Sequence, residues 1–317
     1  MNDDQLPQGA VRRRLLMLAA GLALGACGGG GTAAPGAGSP APAPPPPPPP
    51  PPPASAPLKS AKRGVAYDFA SASDLQALSA GASWWYNWAA RPNAALPLNA
   101  ASQAGMDYLP MLWNASYDAS SVEAAIKANP NIKYLLVLNE PNLVDQADMS
   151  PAQAAAAWPG YEAVAAATGT KIVGPAITWG TMPGFSDPVV WMDAFIAAYQ
   201  AANGGRAPRI DYLAFHWYDY GLAAQLDRLA KYGKPFWVTE MANWHTGDSA
   251  VIDTPAKQAA QMTDMVALCE ARPDVFRYAW FTGRRASDAH FTSLLGANPG
   301  DLTDLGKLYV SLPFTSA

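Results

Sequence analysis

From residue 58 onward, short runs that open apolar and close polar recur along the chain, separated by alanine-rich stretches of helical length. Eight runs have the length of strands: Gly64–Asp68, Trp84–Trp88, Tyr108–Asn114, Tyr134–Asn142, Lys171–Ile177, Ile210–Asp219, Phe236–Ala242 and Tyr278–Arg284. Aromatic and β-branched runs bounded by turn residues read as strands, and near-continuous apolar ones as strands covered on both faces. Helices fit between them over Ser73–Leu78, Ser120–Ala128, Pro151–Ala167, Pro188–Ala202, Leu222–Lys231 and Pro255–Cys269. Two of these start at Pro151 and Pro255 behind Ser150 and Thr254, an N-cap residue followed by proline at the first helical position. Alternating strand and helix over residues 58–317 predicts the α/β class and a (β/α)8 TIM barrel in a single domain. An open doubly wound sheet is the competitor, but no glycine-rich nucleotide loop follows the first strand.

The polar close of nearly every run bears on function. Tyr67-Asp68, Asn87-Trp88, Trp113-Asn114, Asn139-Glu140, His216 to Tyr218, Thr239-Glu240 and Trp280 all fall at strand ends. A barrel gathers those ends on its C-terminal face, where such folds assemble their sites. Glu140 and Glu240 stand out because each terminates an apolar run, Leu135 to Leu138 and Phe236 to Val238, where an ionisable group is costly to bury. Pro141 disfavours helical geometry at Glu140 and withholds an N–H from the ladder, which places Glu140 at the strand exit. The purely structural alternative is that each glutamate pairs with an arginine such as Arg63 or Arg284. His216 either lines the same site or is a satisfied core histidine. His245 and His290 have no metal-ligand spacing with it or with each other, so neither a metal nor another cofactor is expected.

Composition changes the picture mainly at the N-terminus. Residues 28–57 hold 14 of the 31 prolines, including ten in succession at Pro44–Pro53, and 6 of the 26 glycines. Such a stretch is a semi-rigid polyproline spacer. Before it, Arg12-Arg13-Arg14 and the apolar run Leu15–Ala26 have the form of an export signal and are too short to span a bilayer. Leu24-Gly25-Ala26-Cys27 resembles a bacterial lipobox, so residues 1–26 are expected to be cleaved and Cys27 lipidated. The arginine triplet also resembles a twin-arginine signal. The division expected is therefore a leader (1–26), a Gly/Pro-rich linker (27–57) and a catalytic barrel (58–317) of an exported, lipid-anchored protein at the outer membrane or cell surface. Without Arg12–Arg14, Asp3 and Asp4, 18 basic residues face 23 acidic ones, a net of −5 that excludes nucleic acid as the main ligand. All 11 tryptophans lie in the barrel segment and hint at a stacking surface.

Asn139-Glu140-Pro141 ending the fourth strand and Thr239-Glu240 ending the seventh resemble the acid/base and nucleophile strands of clan A glycoside hydrolases, all of them (β/α)8 barrels. Within that clan, Trp84 to Trp88, Pro110 to Asn114, Val173 to Ala176, Phe215 to Tyr218 and Ala279 to Phe281 make the chain similar to glycoside hydrolase family 128, the Asl1-like catalytic domain. The resemblance covers about residues 62–312, and its known members are mainly endo-β-1,3-glucanases. It implies a retaining mechanism with Glu140 as acid/base and Glu240 as nucleophile, Asn139 on the sugar 2-hydroxyl, and Tyr218 on Glu240. Trp85, Trp113, Asn114, Trp179, His216 and Trp280 are the further candidates for contact with the glycan, as is Trp244. The expected partner is a β-glucan chain, bound by a monomer. A hydrolase of another β-glycan and a non-catalytic glycan-binding barrel are the alternatives.

Overall fold

The computed structural model describes residues 59–314, so the leader, Cys27 and the linker lie outside the described residues. Nine strands follow in chain order: β1 (Arg63–Ala66), β2 (Trp84–Tyr86), β3 (Asp107–Tyr108), β4 (Met111–Leu112), β5 (Tyr134–Val137), β6 (Lys171–Ile177), β7 (Tyr212–Trp217), β8 (Phe236–Met241) and β9 (Val275–Trp280). They form one curled sheet in the order β3-β2-β1-β9-β8-β7-β6-β5-β4, with every pairing parallel. Eight helices accompany them: α1 (Ala72–Leu78), α2 (Ala100–Ala104), α3 (Ala119–Lys127), α4 (Pro151–Thr168), α5 (Pro188–Ala202), α6 (Leu222–Leu229), α7 (Pro255–Ala271) and α8 (Asp304–Ser311). The fold is α/β and TIM-like. None of these helices is long and apolar enough to cross a membrane.

Nine strands replace the expected eight because the run Tyr108–Asn114 breaks at Leu109-Pro110, where proline has no N–H for the ladder. Its two pieces are the two ends of the sheet. β3 pairs with β2 and β4 with β5, while Leu109 N donates to Trp85 O and Leu136 N to Pro110 O across the break. Two helices, α2 and α8, were not legible in the hydrophobic pattern.

Helix ends match the capping signals. Ser150 Oγ accepts from Gln153 N and the Gln153 side chain accepts from Ser150 N, a capping box ahead of Pro151, while at α7 the Thr254 hydroxyl accepts from Lys257 N. Helix α4 turns Trp158 and Tyr161 inward, and α5 turns Trp191, Phe195 and Tyr199 inward, at helical spacing. Their rings pack on one another, Trp158 on Phe195 at 4.9 Å.

At the N-terminal end of the sheet Trp84, Tyr134 and Trp237 surround the Arg277 guanidinium, which lies 5.1 Å from the Trp237 ring. Gly64 admits this floor, since a Cβ there would stand 2.2 Å from the Trp84 ring. Six of the eleven tryptophans, Trp84, Trp85, Trp158, Trp191, Trp237 and Trp280, are thus fully buried. Most of the tryptophan excess serves packing.

Arg63 ties the chain's end to β1. It is 1% exposed, donates to Tyr278 Oη, Tyr309 O, Leu312 O and Pro313 O, and stands 3.7 Å from the Glu270 carboxylate. Arg63→Met strands Glu270 in the core and is expected to lower unfolding stability by about 3–5 kcal/mol. Urea titration reads this as a lower midpoint at unchanged slope, and an unchanged midpoint would refute the role given to Arg63.

Candidate active site

The site grows from a bulge. Along β7 and β8 the register runs Phe215↔Val238 and then His216↔Glu240, so Thr239 has no opposite number. An extra residue in one strand bends it and re-aims its side chains. Here the bend sets Glu240 beside His216, and Thr239 Oγ1 sits 2.9 Å from His216 Nε2.

The chain turns sharply again behind β5. Leu138 and Glu140 take φ of 56° and 46°, left-handed values that a branched or charged residue rarely adopts. Backbone bonds hold this turn: Asn139 N donates to Trp113 O, Glu140 N to Ala176 O and Ala176 N to Leu138 O. Glu140 does sit at the strand exit, as Pro141 suggested. It gets there through a left-handed residue rather than an extended one, because a neighbour on either side accepts or donates its ladder bonds.

These two devices converge. His216 Nδ1 lies 2.8 Å from Glu140 Oε1 and 3.4 Å from Glu240 Oε2, and the three ligand-type atoms all fall within 4.8 Å of one another. Glu240 takes hydrogen bonds from Tyr86 Oη (2.8 Å) and Trp88 Nε1 (2.7 Å) on one oxygen and from Tyr218 Oη on the other. Three donors on one group suit a carboxylate, which only accepts. Among the described residues neither glutamate pairs with an arginine: Arg63 lies against Glu270, and Arg284 donates to Asp74.

Burial and charge act together on Glu140, His216 and the two tyrosines. Glu140, 8% exposed, has its pKa raised by burial, with the hydrogen bond and charge of His216 opposing. For His216, fully buried, burial works toward a lower pKa, but attraction to Glu240 and Glu140 outweighs it and the net direction is upward. Tyr86 and Tyr218 are pushed well up by burial and by the Glu240 charge, so both keep their protons and donate.

With that geometry in view, the comparisons are specific. Residues 64–309 match the family described as glycosyl hydrolase catalytic core. Among solved structures, a family 128 subgroup II endo-β-1,3-glucanase from Pseudomonas viridiflava is 59% identical, with a TM-score of 0.80 over 81% of this chain and 100% of that one. The chain belongs to glycoside hydrolase family 128. A counterpart of that enzyme from Sorangium cellulosum is 35% identical, with a TM-score of 0.68 over 80% and 100%. A subgroup I endo-β-1,3-glucanase from Amycolatopsis mediterranei, solved with laminaritriose, is 27% identical, with a TM-score of 0.61 over 80% and 99%. The alkali-sensitive linkage protein 1 of Schizosaccharomyces pombe is 25% identical over 245 residues, and this chain spans 40% of that relative's length and 73% of its own.

In this family 128 chain the residues expected at the site divide into three groups. His216 meets both Glu140 and Glu240, Tyr218 donates to Glu240, and Asn139 precedes Glu140 and is 3% exposed. Trp113 and Asn114 follow β4 and Trp179 follows β6, with β5 between the two strands, and all three are at least partly exposed. Trp179 is 45% exposed, with its Nε1 on Gln225 and the Arg228 guanidinium 5.1 Å from its ring. Trp85 and Trp280 are corrections. Trp85 is 1% exposed against Phe69 and Tyr108, Trp280 is 0% exposed with its Nε1 on Thr292 O, and neither has a ring face free for a sugar.

The residues missed are their neighbours. Tyr86 and Trp88 rather than Trp85, and Phe281 rather than Trp280, face the site, with Phe281 packed against Trp88, Tyr218 and Trp244. Trp244 itself stacks on Tyr218 at 4.1 Å. Side chains alternate faces along a strand, so once Glu240 is taken as facing inward, parity was the available signal.

Glu140, His216 and Glu240 are also, among the described residues, a group whose atoms are close enough to hold a cation. The sequence spacing did not suggest it. Yet His216 bridges both carboxylates, and Tyr86, Trp88 and Tyr218 already donate to Glu240. A metal there would have to break those bonds, so the donor set fits proton chemistry better than coordination.

Proposed function

We propose that this chain is an endo-β-1,3-glucanase that cleaves laminarin-type glucan with retention of configuration, with Glu140 as acid/base and Glu240 as nucleophile. The observation that carries the reading is the approach of the two carboxylates, whose facing oxygens lie within 4.8 Å around His216. A retaining glycosidase keeps its carboxyl groups about 5–5.5 Å apart so that one can attack the sugar directly, whereas an inverting enzyme leaves about 6.5–9.5 Å for a water. The solved relatives named as endo-β-1,3-glucanases supply the linkage. The break at Leu109-Pro110 supports reading the curled sheet as a closed barrel of eight strands, β3 and β4 being halves of one.

In the first step Glu140 gives its proton to the departing glycosidic oxygen while Glu240 attacks the anomeric carbon, forming a glycosyl ester and releasing the far part of the chain. Tyr86, Trp88 and Tyr218 hold the Glu240 carboxylate in line beforehand, so little motion is needed at the moment of attack. In the second step Glu140, now a carboxylate, takes a proton from water, the water attacks the same carbon, and Glu240 leaves. Asn139 Oδ1 is buried without a protein partner while its Nδ2 is fixed on Gln146, which leaves an acceptor for the sugar 2-hydroxyl.

Incubation of the purified chain with laminarin and with β-1,4- and β-1,6-linked glucans tests the reading. Short β-1,3-linked oligosaccharides from laminarin alone are expected. Glucose as the sole product would overturn endo action, and cleavage confined to another glucan would overturn the linkage.

The monomeric state and the lipid anchor on Cys27, in an exported protein at the outer membrane or cell surface, belong to the same proposal and rest on the sequence. Cys27→Ser is expected to release the protein into the soluble fraction, and a variant that stays with the membrane through its N-terminus would refute the anchor.

A further inference from the structure

The ladder between β1 and β2 ends at the pair Ala66↔Tyr86, short of Trp88, whose indole Nε1 nevertheless donates to Glu240 at 2.7 Å. Trp88 takes φ of 58°, a left-handed value that a bulky residue keeps only where its surroundings impose it. We propose that Asn87 is the residue that imposes it, a positioning residue that aims the Trp88 N–H at the nucleophile; the inference rests on the role given to Glu240 above.

The Asn87 side chain is buried and fully engaged. Its Nδ2 donates to Asp68 Oδ1 at 2.8 Å and to Arg91 O at 3.1 Å. Tyr108 Oη stands 2.8 Å from Asn87 Oδ1 and 2.7 Å from Ala89 O, both acceptors, so its one proton is shared between them. Asp68 follows β1 and Tyr108 belongs to β3, the strands on either side of β2. The residue before Trp88 and the residue after it are therefore tied to both neighbouring strands, and the second Asp68 oxygen accepts from Asn93 Nδ2 to close the loop.

The bonds lie on the far side of β2 from the reaction. Side chains alternate along a strand, so Asn87 faces away while Tyr86 and Trp88 face Glu240. These two share one carboxylate oxygen, but they are held differently. Tyr86 is set by the ladder itself, whereas Trp88, beyond the ladder's end, depends on the Asn87 clasp. Losing the clasp costs Glu240 one of its three donors and lets the carboxylate turn away from the line of attack.

A double-mutant cycle in the full chain tests this. Asn87→Ala is expected to lower kcat on laminarin about tenfold with KM changed less than about twofold, because the orientation it supplies counts only in the transition state. Trp88→Phe, which keeps a ring but has no N–H, should do the same, and the double variant should be no slower than Trp88→Phe alone. Losses that multiply in the double variant, or a rise in KM at unchanged kcat, would overturn the inference. If Asn87→Ala does not fold, Tyr108→Phe enters the cycle in its place, with an expected loss of about threefold that vanishes in the Trp88→Phe background, and wild-type turnover in Tyr108→Phe would refute the clasp. The reading beneath fails separately, through a chain inert toward laminarin or a Glu240→Gln variant that keeps full turnover, and either result overturns the inference with it.

Discussion

Glu240→Gln is expected to lower kcat on laminarin by about four orders of magnitude or more while the protein folds as before. The amide is isosteric, its oxygen can still accept from Tyr86 and Trp88, and the Tyr218 hydroxyl can turn to accept from the new NH2. What disappears is the anionic nucleophile. Glu240→Ala carries the test further, since it leaves space where a small anion such as azide can attack the same face of the sugar. An α-glycosyl azide is the expected product, because one displacement inverts the β configuration. A β-glycosyl azide would mean that the nucleophile had stayed in place and that the roles of the two glutamates are exchanged.

The parts of this site that were legible in the sequence are those that depend on strand ends. Glu140 and Glu240 close two apolar runs, and a parallel α/β sheet brings such ends to one side whatever the loops do. Their convergence needed no knowledge of side-chain direction. Side-chain direction is where the reading failed. In Trp84 to Trp88 the residues alternate, so Trp84 packs in the floor, Tyr86 and Trp88 reach Glu240, and Trp85 packs outside against Phe69 and Tyr108. Choosing Trp85 and Trp280 as sugar contacts amounted to a slip of one residue, which on a strand reverses the face.

Other features depend on contacts distant in sequence and could not be read locally. The bulge at Thr239 exists because His216 Nε2 meets its hydroxyl, and the left-handed turn at Glu140 because Ala176 and Trp113 satisfy the neighbouring amides. Helix α2 is only five residues long, and α8 is pinned by Arg63 at the far end of the chain. The same logic moved most of the tryptophans from a supposed sugar platform into the floor and helix packing, where ring size fills space that no local pattern reports.

Glu140→Gln is expected to separate two kinds of substrate. On laminarin, whose leaving group is a sugar alcohol, loss of the general acid should lower kcat/KM by about 10²–10⁴-fold. A nitrophenyl β-laminaribioside leaves without a proton, so its glycosylation step should fall far less, and the ester on Glu240 should then accumulate because no base activates the water. Burst kinetics reads that accumulation directly. The pH dependence follows from the same group. Burial raises the Glu140 pKa above its ordinary 4.5, so the acid form survives to higher pH than a free carboxyl would, and laminarin hydrolysis declines on the alkaline side as that proton is lost. The aryl substrate, which leaves without that proton, should show no such limb in its glycosylation step. For stability the sign is the same: Glu140 and His216 both bind protons more tightly folded than unfolded, so their contribution is full below 4.5 and 6.5 respectively and is lost as pH rises past those values. The melting temperature of the wild type should therefore fall more steeply with rising pH than that of Glu140→Gln, and parallel curves would show that the Glu140 proton is not held as its burial beside His216 requires.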